Sequence, residues 1–144
     1  MRPLAEISLP VNTELVARAL KWLQSIAGQQ GWPGRTLFKL QLCLDETLTN
    51  IAMYGGGDRP PPEGLQVKLR LLHDDARLAL EVADNGVAFD PTARASRSLD
   101  SSLEDARVGG HGLRLLRHYL EDIRYERRDG WNRLTLLAVR DDPA

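Results

Sequence analysis

The chain has 144 residues, 42% of them hydrophobic and 27% charged, with a formal net charge of −1. That length suits one domain, expected over 1–144, with a real core. The near-neutral charge excludes any electrostatic case for nucleic acid or an anionic membrane as partner.

The N-terminal MRPLAEISLP has no signal-peptide core, and no apolar run nears membrane-spanning length, so the expected location is the cytoplasm. Ala5 to Leu9 suggests a short strand, with Asn12 as the N-cap of a helix that follows. Leu15, Val16, Ala19, Leu20, Leu23 and Ile26 give that helix its stripe, and Gly28 is expected to end it in a loop reaching Gly34.

A second helical segment, Thr36 to Tyr54, carries Leu37, Leu40, Leu44, Leu48 and Ile51 on one stripe. Glu46 and Asn50, four apart, stack on its opposite side, with Leu42, Cys43 and Met53 beside them. The lone Cys43 excludes an internal disulfide or a cysteine-built metal site and reads as a small buried hydrophobe. A carboxylate and a carboxamide among apolar neighbours need partners, one of which is a hydrated Mg²⁺. An ordinary polar helix face has the same pattern. A run of three glycines and a run of three prolines then make Gly55 to Gly64 a surface loop.

Leu65, Val67, Leu69 and Leu71 alternate with polar residues, and so do Leu78, Leu80 and Val82 after a turn at His73 to Ala76. This predicts an antiparallel hairpin. Asp84 keeps the parity of the inward face, so it is paired, bonded to a ligand, or just past the strand end; Asn85-Gly86 turns the chain there. Pro91 to Gly109 has no period. Gly109-Gly110-His111-Gly112 leads into a stripe on Leu113, Leu116 and Leu120, and glycines at a helix start suit an anion. Ile123 to Arg128 and Asn132 to Arg140 read as two strands around Asp129-Gly130. The last is apolar on both faces and therefore central.

E-x-x-x-N on a helix, an inward Asp-x-Gly after a strand and Gly-x-Gly at a helix start stand in that order. The chain thereby resembles the GHKL ATPase superfamily, the ATP-binding fold of gyrase and the histidine kinases. Glu46-Thr47-Leu48-Thr49-Asn50 is similar to its N box, Asp84-Asn85-Gly86-Val87-Ala88-Phe89-Asp90-Pro91 to its G1 box, and Gly110-His111-Gly112-Leu113 to its G2 box. Asn132-Arg133-Leu134-Thr135-Leu136 resembles the end of its last strand. Across nearly the whole chain the nearest likeness is to the stand-alone bacterial anti-sigma-factor serine/threonine kinases. Met53-Tyr54 stands where that subgroup often has a histidine.

The resemblance implies an α+β two-layer sandwich, with helices on one face of a mixed, mainly antiparallel sheet, and an ATP lid at about 91–111. It implies that Asp84 accepts from the adenine amino group, that Gly86 lets the backbone pass close to the base, and that Thr135 supports the base. Asn50 would hold Mg²⁺, Gly110 and Gly112 would meet the phosphates, and Glu46 would be the general base. Phe89, His111 and Leu113 fall within the same boxes and belong to the implied ATP site. Arg107 stands nearest to the basic lid residue that contacts the γ-phosphate in some members. The implied function is that of an anti-sigma regulatory factor that phosphorylates a STAS-type anti-sigma-factor antagonist in a partner-switching system. The implied partners are that antagonist, a sigma factor and a second copy of the chain, for which Leu4 to Leu9 offers a strand edge. The other functional class is an ATP-binding regulatory module that switches partners with little or no kinase activity.

Overall fold

Leu15, Ala19, Leu23 and Ile26 are all buried, so the first stripe seats α1 (Leu15–Gln30) on the core. The computed structural model describes residues 1–58, 60–94 and 111–141, with only the backbone at positions 94, 111 and 112. The helix does not stop at Gly28. It ends where Gly31 takes a left-handed φ of 67° and donates its N–H to Ala27 O. Gly28 has open space around it, so it is tolerated inside the helix at modest cost. Asn12 is not the capping residue either. Its Oδ1 accepts from the Glu14 N–H at 2.9 Å, in a turn that precedes the helix. Because α2 (Gly34–Tyr54) starts so soon, the expected loop from Gly28 shrinks to three residues, 31–33.

Five strands form one sheet in the order β1-β2-β3-β5-β4. They are β1 (Arg2–Pro10), β2 (Gln66–His73), β3 (Arg77–Asp84), β4 (Asp122–Arg128) and β5 (Trp131–Val139). β1 is longer than expected, with an irregularity between Pro3 and Ala5. All four pairings are antiparallel, so the sheet is antiparallel throughout where a mixed one was expected. The connections explain this. Two helices carry the chain out and back between β1 and β2. Among the described residues, the helix α3 (His111–Tyr119) precedes the edge strand β4, whose hairpin partner β5 inserts beside β3. Positive φ at Asp129 (53°) and Gly130 (81°) gives the β4–β5 hairpin the backbone twist such two-residue turns need.

Leu9, Val67, Leu69, Leu71, Leu80, Val82, Leu134 and Leu136 share one face of the sheet by register and join Leu23, Leu40, Leu44, Leu48 and Leu116 of the helices in a single apolar cluster. The opposite face carries Glu6, Lys68, Arg70, Glu81, Arg133 and Thr135. The α+β two-layer sandwich therefore stands, with β5 an interior strand. Among the described residues no helix is long and apolar enough to cross a membrane.

Candidate functional site

Asp84 is the last residue of β3 and faces the helices, with Val67 beside it on β2 and Asn132 opposite on β5. Thr36, Thr47, Asp84 and Asn132 are the buried polar side chains among the described residues, so two of these four form one cross-strand pair. A buried carboxylate needs partners. One oxygen of Asp84, Oδ1, accepts from Asn132 Nδ2 at 3.0 Å and from the Gly86 N–H at 2.9 Å. Its other oxygen has no hydrogen-bond partner among the described residues, and Asp84 borders a cleft. Burial lifts the Asp84 pKa above the ordinary carboxylate value, against the Asn132 and Gly86 hydrogen bonds and the nearby Arg127 cation.

Asn132 is fully engaged. Its Nδ2 also donates to Val87 O at 2.7 Å, and its Oδ1 accepts from the Phe89 N–H and the Tyr125 hydroxyl. Arg127 on β4 donates to Gly86 O at 2.7 Å, so β3, β5 and β4 all hold the 84–89 turn. Gly86 is required by packing inside the protein. A Cβ there would sit 2.3 Å from Gly55 O and 2.9 Å from Asp84 Oδ1, and the next residue, Val87, donates its N–H to Gly55 O. The glycine thus serves a backbone contact with the end of α2, a reason the expected passage of a base did not include.

The other wall is α2, which presents Thr47, Asn50, Ile51 and Tyr54 at helical spacing. Val82, Asp84, Val87, Phe89, Leu116, Tyr125, Asn132 and Leu134 complete a cleft of about 520 Å³ including its open mouth. Apolar walls with a few convergent polar groups are the usual make-up of small-molecule sites. The rings of Tyr54 and Phe89 lie near-parallel, 6.5 Å apart at an angle of 18°.

Asn50 lines this cleft, while Glu46 sits one turn earlier and half-buried, outside the lining. Neither side chain is hydrogen-bonded to a described residue. Cys43 is buried beside them, but Met53 is 61% exposed and does not shield them as expected. Burial pushes the Cys43 thiol up to about 12, which makes it inert.

Thr135 is not with the others. Its neighbours across the strands are Glu81 and Arg124, and the flanking Leu134 and Leu136 face the core, so its side chain lies on the far face of the sheet. It therefore lies away from the cleft, and Asn132 of the same strand, which was given no role, lines the cleft instead. An inward polar residue in step with Leu134 and Leu136 was the signal available for it. Tyr54, Tyr125 and Thr47 were also missed.

Leu113 is buried on α3, and Gly112 lies in that helix's first turn. Of the expected lid, Pro91–Arg94 forms a 3-10 turn and His111 opens α3. Residues 95–110, with Arg107 and Gly110, lie outside the described residues. No three His, Cys, Asp or Glu cluster as a metal site among the described residues.

A helix and an antiparallel sheet that converge on a buried aspartate fit the histidine kinase-like ATPase class. Residues 9–137 match that domain family, and the chain belongs to it. It is 43% identical over 132 residues, 92% of this chain and 91% of the relative, to the serine/threonine-protein kinase BtrW of Bordetella bronchiseptica. It is 25% identical over 122 residues, 82% of this chain and 76% of the relative, to the serine-protein kinase RsbW of Listeria monocytogenes. Over 94 residues, 65% of this chain and 61% of the relative, it is 23% identical to the anti-sigma F factor of Pasteuria penetrans. These likenesses support a serine/threonine kinase activity.

Proposed function

We propose that the protein is an ATP-dependent serine/threonine protein kinase that serves as an anti-sigma regulatory factor and phosphorylates a STAS-type antagonist in a bacterial partner-switching system. The observation that carries the nucleotide reading is the second oxygen of Asp84, which is bordered by apolar walls and has no donor among the described residues. It is matched by a base that offers an exocyclic amino group. Phe89 and Leu113 pack around the base and sugar. His111 and Gly112 open α3 toward the triphosphate, where a helix N-terminus favours negative charge, and Gly110 is the further residue of this box proposed to meet it. Residues from about 91 to 111, Arg107 included, cover the nucleotide.

Mg²⁺ fits this donor set, because the Asn50 carboxamide lines the cleft with no hydrogen-bond partner among the described residues and the ion takes few protein oxygens. When bound, it neutralises triphosphate charge. Glu46, one turn from Asn50, takes the proton of the attacking hydroxyl. The protein acts in the cytoplasm as a homodimer that also engages a sigma factor. A monomer mass by light scattering, with and without nucleotide, overturns the dimer.

The test is calorimetry with Mg·ATP and ADP, followed by labelled ATP with a STAS-domain partner. One nucleotide per chain and label on a partner serine or threonine are expected; no heat with either nucleotide refutes the site. The position of Glu46 outside the cleft lining favours a second reading, a nucleotide-dependent binding module. Binding without any transfer selects it.

A further inference from the structure

The two oxygens of a carboxylate are chemically equivalent, so the plane in which they are held decides what the group can recognise. At Asp84 that plane is set by two donors on one oxygen, the Asn132 amide and the Gly86 N–H. The Asn132 amide has one possible orientation. Phe89 N–H and the Tyr125 hydroxyl need an acceptor, and Val87 O needs a donor, which leaves an N–H to aim at Asp84. A proton cannot sit on the oxygen that Asn132 and Gly86 hold, because both groups that face it are donors. Any proton must go to the other oxygen, where the ligand's base would lie.

We infer that Asn132 is the positioning residue for nucleobase choice: through its bond to one oxygen it turns the other into the cleft, favouring a base with an exocyclic amino group over one with a keto oxygen at the same place. This rests on the nucleotide reading above. An ionised second oxygen accepts from an amino group and repels a keto oxygen. The same oxygen, once protonated, donates to the keto group and faces the amino group badly.

Selectivity therefore depends on pH. Among the described residues, the charged and titratable groups around Asp84 are Arg127 and Tyr125 of β4, Tyr54 of α2 and, beyond Tyr125, Asp90 of the turn. β2 and α3 present Val67 and Leu116, which carry no charge. Burial holds Asp84 above the ordinary carboxylate range, and the Asn132 bond restrains that rise. Loss of Asn132 both frees the plane and lets the pKa climb further.

The experiment measures affinities of adenosine and inosine triphosphates across pH for wild type, Asn132→Leu and Tyr125→Phe, with folding checked by circular dichroism. Wild type should prefer the adenosine nucleotide at neutral pH and lose that preference as pH falls. Asn132→Leu, of equal size but without hydrogen bonds, should lower the ratio about tenfold at neutral pH, the worth of one charged hydrogen bond. It should also move the loss of preference to higher pH. Tyr125→Phe frees only one anchor of Asn132 and should shift both readouts the same way by less; it decides the matter if Asn132→Leu does not fold. Equal weakening of both nucleotides at every pH means a structural role alone and overturns the inference. Wild type that binds neither nucleotide overturns the nucleotide reading itself.

Discussion

Replacement of Asp84 by asparagine separates the site's function from the protein's stability. The amide oxygen can still accept from Asn132 Nδ2 and the Gly86 N–H, so the internal bonds survive. The amide nitrogen then takes the place of the carboxylate oxygen at the cleft and meets the base's amino group donor to donor. The lost charge-assisted hydrogen bond is worth about 1.5–3 kcal/mol, or roughly tenfold to a hundredfold in ATP affinity. Stability goes the other way. An acid whose folded-state pKa is raised stabilises the fold below its unfolded pKa, and that contribution is lost as pH climbs through the folded value. At neutral pH the nucleotide-free wild type thus carries the cost of a buried charge that Asp84→Asn removes. The melting temperature of the variant should match or exceed that of wild type at neutral pH, and the difference should shrink in acid. Calorimetric titration with Mg·ATP and thermal melts at several pH values supply both readings. Undiminished ATP affinity refutes the role of Asp84, and a large fall in melting temperature refutes the claim that its internal bonds are preserved.

Glu46→Gln should slow transfer to a partner serine by about 10²–10⁴-fold while leaving ATP affinity unchanged, because a general base contributes to the chemical step; transfer assays beside calorimetry check this. Gly86→Ala should destabilise the protein and abolish ATP binding, since its Cβ would meet Gly55 O at 2.3 Å, a backbone atom that cannot swing aside; thermal melts and titration read both effects. Thr135→Val should leave nucleotide affinity at the wild-type value, as its side chain lies on the far face of the sheet. Leu44→Ala, at a fully buried position between α2 and the sheet, should cost about 2–5 kcal/mol in denaturant unfolding through the lost burial and the cavity left behind.

The local periods were legible in the chain by itself. Leu40, Leu44 and Leu48 recur at helical spacing and are buried on α2, and Val67, Leu69 and Leu71 alternate and are buried on β2, because both patterns repeat within a few residues. The inward parity of Asp84 followed from the same rule. Exact ends were less legible, since Gly28 and Gly31 are equally able to stop a helix by composition and only the left-handed turn at Gly31 chooses between them. The side of Thr135 was undecided for another reason. With Leu134 and Leu136 on one face of β5 and Leu137 and Val139 on the other, alternation does not say which face meets the helices, and the register with β3 does. That register also places Asn132 against Asp84, 48 positions away, and closes Gly86 onto Gly55 from a different element. Sequence alone determined which residues want to be buried. The tertiary structure decided which polar groups satisfy one another, because hydrogen bonds between distant strands depend on pairing that no local pattern records.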